Sequence, residues 1–258
     1  MPTAGLTVVT DSSPSGLARL YADIGRRLGA FATADDALIA ITRAAVAVVP
    51  GADVASISRL HSNRFTTAGA TDPAAAGADD LQYELGAGPC LDAIRTSTVV
   101  RTTDLASDPR WSGFGPRAAE AVGLRSSLSL RLFLQDGRPD GLRAGLNLYS
   151  RRPGAFDDEA LVPTTVVAAH GALAVTAALA RERTAQLEDA VATNREVGVA
   201  MGVVMLRRGV TREEAFDLLR FASQTSNRKL HTIASEVADA GDLDLPPTSP
   251  AAADGRAG

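Results

Sequence analysis

From about Phe156 to Arg208 the sequence shows no strand alternation, and only Pro163 interrupts a helical composition. A helix over that span is too long for one ordinary packing face. The chain therefore divides into a part before this stretch and a part carried by its end. Pro163 predicts an interruption or bend early on. Leu173, Ala180 and Leu187 recur every seven residues, which marks the stretch as a candidate parallel dimer helix. Ala160 to Ala180 is the segment nearest to a membrane span. Its Ala and Thr content reads better as a buried or dimeric helix.

The preceding residues change character twice. Residues 1–14 are small and polar and predict a flexible N-terminus. Leu17, Leu20, Tyr21, Ile24 and Leu28 follow helical spacing. A second helix begins at Thr33, with Asp36 three residues on, buries Leu38, Ile41, Ala45 and Val48, and stops at Pro50-Gly51. Then "DVASISRL" (53–60), "RFTTAGA" (64–70) and "VVRTTDL" (99–105) read as strands. "LRSSLSLRLFL" (124–134) and "GLRAGLNLYS" (141–150) flank a turn-rich connector and read as a hairpin. Leu128, Leu130, Leu132 and Leu134 alternate with Ser129, Arg131 and Phe133, giving one buried and one mostly polar face. Short helices fall at 86–97 and 108–123. This order defines an α+β domain of roughly 150 residues.

Beyond the long stretch, three helices are legible. Val197, Ala200, Met201 and Val204 form the apolar stripe of the first, which also carries Gly198 and Gly202 on one face and predicts close approach by another helix. Gly209 caps it. Thr211 and Glu214 form a capping box for the second, whose Ala215, Phe216, Leu219 and Ala222 face the core. Asn227 is the N-cap of the third, with Leu230, Ile233, Ala234 and Val237 inward and Gly241 at its end. That places Arg228 and Lys229, the chain's one lysine, in a first helical turn, against the backbone dipole. An anion docked there reverses the penalty. Residues 195 to 231 hold seven basic and four acidic side chains, although the whole chain has a net charge of −4. Any nucleic-acid site is therefore a local patch. A solvated polar turn accounts for the same residues equally well.

"NREVGVAMGVVMLRRGVTREEAFDLLRFASQTSNRKLHTIASEVADAG" resembles the ANTAR family of RNA-binding antitermination domains. The resemblance rests on Ala200, Gly202 and Met205 in the first helix, "EEAFDLLR" in the second, and the run from Ser223 to Ala234. It implies a three-helix bundle that binds paired hairpins in leader transcripts, usually as a dimer, and prevents termination. By resemblance the RNA-binding residues are Arg195, Arg220, Ser223, Gln224, Asn227, Arg228 and Lys229. Many members carry Lys where this chain has Met201, a residue whose spacing places it toward the core.

Residues 17 to 180 resemble a GAF domain through "LGAGPCLDAIRTSTVVRTTDLASDPRW", Gly123-Leu124-Arg125-Ser126 and "GLNLYSRRPGAFDDEA". Actinobacterial chains place such a domain ahead of ANTAR modules. The resemblance implies an antiparallel sheet flanked by helices that senses a small molecule or dimerises. The ligand and any cofactor stay unknown. Cys90, beside Pro89 at a helix start, reads as a small buried residue, and its being alone excludes an internal disulfide. Trp111 and Phe114 read as core cover, Asp104 and Asp108 as turn residues, and His170 as a core or interface residue.

The pairs Asp79-Asp80 and Asp157-Asp158 fit helix N-termini. No nucleophile elbow, zinc motif or dinucleotide fingerprint occurs, and His61, His170 and His231 lack ligand spacing. The expectation is no enzyme, no catalytic residue and no metal. The expected organisation is a sensor domain at 15–160, a linker helix at 161–194, an RNA-binding bundle at 195–241 and a disordered tail at 242–258. The expected protein is a cytoplasmic homodimer off the membrane. A DNA-binding regulator and a protein-interaction module without nucleic acid remain open alternatives at this point.

Overall fold

The computed structural model describes residues 33–96, 99–133 and 143–241, with Ala22, Arg26 and Phe31. The flexible N-terminus, the helix through Leu17 to Leu28 apart from Ala22 and Arg26, the hairpin connector and the tail lie outside the described residues. The chain divides into two compact units, Met1–Glu182 and Arg183–Gly258.

In the first unit, helix α1 (Ala34–Val48) starts at Thr33, whose hydroxyl accepts from the Asp36 N–H at 3.1 Å. Strands β1 (Val54–His61), β2 (Arg64–Ala70), β3 (Val99–Thr102), β4 (Ser126–Leu132) and β5 (Arg143–Ser150) form one antiparallel sheet in the order β2-β1-β5-β4-β3. Helices α2 (Pro73–Leu85), α3 (Pro89–Thr96) and α4 (Gly115–Val122) fill the long connections, with two 3₁₀ turns at Leu105–Ser107 and Pro109–Trp111. Helix α2 lacks an obvious apolar stripe and escapes the sequence reading. It is capped by Asp72, with Pro73 in its first turn.

Period-two alternation splits the sheet into two chemistries. Ala55 and Ile57 of β1, Leu128, Leu130 and Leu132 of β4, and Ala144, Leu146 and Leu148 of β5 share one apolar core with α1 and with helix α5 (Asp158–Arg208). Asp157 caps α5 by accepting from the Glu159 and Ala160 N–H groups. Pro163 does not interrupt this helix, which spans 51 residues in all. One 18-residue window of α5 is apolar enough to cross a membrane by composition alone, at mean hydropathy 1.6. Val167, Val175 and Ala178 of α5 lie fully buried in the sheet's core.

Close helix approach occurs at a glycine, but a different one from those the sequence suggests. A Cβ on Gly171 of α5 would lie 2.6 Å from two carbons of Ile41 on α1. Around Gly198 and Gly202 a Cβ would meet nothing within 4 Å, because both face open space. Gly171→Ala is therefore expected to destabilise the first unit by about 1–3 kcal/mol through overpacking. Gly202→Ala is expected to stabilise the second unit by roughly 0.5–1 kcal/mol. Urea unfolding of the two variants checks the opposite signs.

Candidate functional site

The second face of the sheet is polar and closed. Ser56 and Ser58 of β1, Ser127 and Ser129 of β4, and Asn147 and Tyr149 of β5 are all fully buried. The sequence reads this face of β4 as mostly polar, with the leucine face as the buried one. Helices α2 and α3 cover the polar face as well, and they bring Asp79, Gln82, Tyr83 and Cys90 onto it. Asp79 lies inside α2 with no exposure, not at a helix N-terminus where a carboxylate pair would be expected. Its Oδ1 accepts from Tyr149 Oη at 3.0 Å and Asn147 Nδ2 at 3.1 Å, and its Oδ2 from Thr67 Oγ1 at 3.0 Å. Gln82 Nε2 donates to Tyr149 Oη at 2.9 Å, and Gln82 Oε1 accepts from the Cys90 N–H at 2.9 Å. Tyr83 Oη donates to Ser58 Oγ at 2.7 Å and lies 3.1 Å from Thr67 Oγ1.

Burial raises Asp79 to about 6, even though four hydrogen bonds act to lower it. Burial also pushes the Cys90 thiol up to about 12, so it offers no thiolate. Ser127 Oγ, Ser129 Oγ and Asn147 Oδ1 are buried without a hydrogen-bond partner among the described residues. They leave one acceptor and two hydroxyls unsatisfied in a closed layer. Trp111 and Phe114 cover the neighbouring core, and Trp111 Nε1 donates to Asp92 at 2.8 Å. Asp104 and Asp108 cap the two 3₁₀ turns, and Arg125 pairs with Asp104 through two contacts of 2.8 and 3.0 Å. His170 is half-buried, with Nδ1 2.9 Å from the Val166 carbonyl. Among the described residues no cluster of His, Cys, Asp or Glu is arranged to hold a metal.

In the second unit, the end of α5 packs against α6 (Arg212–Ser226) and α7 (Leu230–Ala240) around Ala200, Val204, Leu219, Ala234 and Val237. Met201 is half-buried against this core. The Thr211–Glu214 capping box is complete, and its hydrogen bonds from Thr211 hold the Glu214 carboxyl below its usual range. Phe216 departs from expectation: it is 39% exposed and lies outside the buried cluster.

The turn before α7 also differs from the sequence reading. Asn227 is the left-handed C-cap of α6, with φ 52° and ψ 38°, and its N–H bonds back to Gln224 and Ser223. Asn suits both a helix start and a left-handed helix end, so local preference alone does not decide. Helix α7 begins at Leu230 with Lys229 at its N-cap, where no side chain caps the helix. The two cations therefore precede the first turn and do not sit inside it. Ser223 Oγ donates to the Arg228 carbonyl at 2.5 Å, fixing the turn. The Arg228 guanidinium forks onto Glu236, with one contact at 2.9 Å. This pairing raises Arg228 and lowers Glu236 from their ordinary values.

Arg220, Ser223 and Gln224 are spaced at i, i+3 and i+4 on α6, and Asn227 lies in the turn that ends it. Arg220 pairs with Asp217 at 3.1 Å. Arg195 is exposed on α5. The structure thus gathers six of the seven candidate residues on one stripe and the turn that follows it. Arg207, a further candidate cation, donates to the Gly241 carbonyl at 3.0 Å and serves the end of α7.

A GAF domain family model matches residues 32–176, and an ANTAR domain family model matches residues 185–237. The chain belongs to the GAF domain family and carries an ANTAR domain after it. It is a two-domain regulatory protein. Among solved structures, the GAF domain of a phosphoenolpyruvate-protein phosphotransferase from Coxiella burnetii is 15% identical. It covers 65% of this chain and 96% of its own, with a TM-score of 0.50. The corresponding domain from Acinetobacter is 16% identical over 65% and 96%, at 0.49. A free methionine-R-sulfoxide reductase from Neisseria meningitidis is 17% identical over 68% and 96%, at 0.48. The first of these likenesses concerns the fold alone. No curated protein matches the chain.

Proposed function

We propose that this chain is a signal-responsive cytoplasmic regulator whose ANTAR domain binds structured RNA hairpins in leader transcripts and prevents termination. The observation that carries this reading is the polar run of Arg220, Ser223 and Gln224 on α6, which leads through the Asn227 turn into Arg228 and Lys229 at an uncapped helix start. Backbone N–H groups there, with a neighbouring cation, favour a phosphate. The buried polar layer supports a small-molecule role for the GAF domain. A homodimer is supported by an apolar groove of about 420 Å³ on that domain, bordered by Val99, Phe133, Ala169 and Leu173. Leu173 and Phe133 there are 70% and 65% exposed.

The test is recovery and sequencing of RNA bound to the full-length chain in its native cells, beside an Arg220→Ala, Lys229→Ala variant. Enrichment of hairpin-bearing leaders, lost in a folded variant, supports the reading. Loss of two phosphate contacts should also lower the salt slope by about 2. Equal recovery of bulk RNA by both proteins, with no leader enriched, defeats it.

A further inference from the structure

The apolar groove of about 420 Å³ on the GAF domain lies at one edge of the sheet's leucine face. Val99 of β3, Leu130 of β4 and Phe133 line it from the sheet, and Ala169, Ala172 and Leu173 line it from α5. Helix α1 packs over β1 and β2, at the other end of the strand order, so it leaves the β4-β3 edge bare. Val99, Phe133 and Leu173 are exposed there. An open apolar surface of this kind marks a contact with another element.

The chain carries an element of matching chemistry. Leu17, Leu20, Tyr21, Ile24 and Leu28 recur at i, i+3, i+4, i+7 and i+11, which makes one apolar stripe. Ala22 and Arg26, the described residues of this segment, are helical and exposed. Their positions lie opposite the stripe. Along a helix the stripe measures about 17 Å, and the groove follows α5 from Thr165 to Leu173 for about 12 Å.

A segment of this kind cannot lie in the groove of its own chain. Gly171 of α5 meets Ile41 of α1, and Glu182, three turns further on, lies on the same side of the helix. Glu182 accepts from the Ala34 N–H at 2.9 Å, and Arg181 donates to the Phe31 carbonyl at 2.7 Å. The chain therefore enters the domain on the α1 side of α5. Ala169 and Leu173, each two residues from Gly171, face the opposite side. Leu28 stands three residues before Phe31, a reach of at most about 11 Å. A helix with its side chains is about 10–12 Å thick, and the path around it is longer still.

We infer that the groove receives residues 17–28 of a second copy of this chain, which takes the first copy's segment in return. Exchange across a twofold axis seats both segments, and the two contacts are identical by symmetry. The inference rests on the proposed homodimer and names the surfaces that form it.

The experiment joins thiols across the contact in the full-length chain. Cys90 is fully buried, so an introduced cysteine is the reactive one. Ile24→Cys protein is mixed with Leu173→Cys protein that carries a size tag, left to exchange subunits, and treated with a short bismaleimide. Mixed covalent dimers should form. They should be scarce when Ala22→Cys, on the far face of the segment, replaces Ile24→Cys. Leu20→Glu with Ile24→Glu should raise the dissociation constant of the dimer about 10- to 100-fold, and Ala22→Glu should leave it unchanged. Thermal melting confirms that each variant folds.

Mixed dimers no more abundant than with Ala22→Cys overturn the inference, as does an unchanged dissociation constant in the Leu20→Glu, Ile24→Glu chain. A chain carrying both Ile24→Cys and Leu173→Cys that closes on itself as a monomer overturns it too. Covalent pairs of Leu173→Cys protein with itself, in place of mixed ones, would set α5 against its counterpart, overturning the exchange and leaving the homodimer reading intact. A native chain that sediments as a monomer at every accessible concentration defeats the homodimer reading itself, which is a separate and recognisable outcome.

Discussion

Asp79→Asn is expected to stabilise the GAF domain above about pH 6 and to remove a decline in stability expected of the native chain between about pH 4 and pH 6. The unfolded chain releases the Asp79 proton near 3.8, and the folded chain near 6. Between those values the folded state holds a proton that the unfolded state has lost. The contribution is therefore full below about pH 4 and disappears as pH rises through the folded value. A shift of roughly two units corresponds to about 3 kcal/mol. Asp53, Asp104 and Asp108 are lowered in the fold, so their contribution is lost as pH falls below the ordinary carboxylate range. The two windows are separate.

Asparagine fits the network better than most replacements would. Both Tyr149 and Asn147 donate to Oδ1, which asparagine keeps. Its new N–H group stands where Oδ2 meets Thr67, whose hydroxyl can turn its proton toward Tyr83, 3.1 Å away. Asp79→Ala, by contrast, strands those donors and leaves a void, at a cost of about 3 kcal/mol or more. The chain's single tryptophan, Trp111, lies in this domain, so its fluorescence in urea titrations reports the GAF unit alone. A wild-type profile flat from pH 4 to pH 6, or one whose slope survives in Asp79→Asn, refutes the assignment.

Glu236→Gln is expected to tighten RNA binding by the full-length chain about three- to tenfold at low salt and to steepen its salt dependence. Arg228 is committed to Glu236, so on the proposed reading an RNA phosphate displaces a carboxylate to reach it. Exposed pairs of this kind contribute little to folding, and the substitution should leave melting nearly unchanged. Asp239→Asn removes one negative charge from the same helix without freeing an arginine, and separates the two effects. Equal gains in both variants would mean that only net charge matters. No gain in either would place Arg228 outside the interface.

The contrast between these sites shows what a sequence makes legible. The limits of β2 coincide with the strand read at Arg64 to Ala70, because alternation and flanking turns are local signals. The caps at Thr33 and Thr211 were equally legible, being fixed by residues three apart. The fate of the alternating serines at 127 and 129 was not. Alternation gives the face on which a side chain lies, and a helix about thirty to forty residues earlier decides whether that face meets water. Asp79 was missed for the same reason: a carboxylate inside a short, alanine-rich helix looks solvated until the sheet beneath it is known. Phe216 failed in the opposite direction. Its spacing borders the apolar stripe, and only the packing of α5 against α6 shows that the core closes without it.

The unsatisfied hydroxyls of Ser127 and Ser129 carry one last implication. A side chain that is buried, polar and unbonded weakens the domain that contains it, and alanine at either position would relieve the burden with almost no change in volume. Considered only as a folded object, the GAF domain would be sturdier with a greasier sheet. Its two faces thus answer to different masters. The leucine side answers to packing alone, while the serine side carries polar groups that packing leaves unpaired.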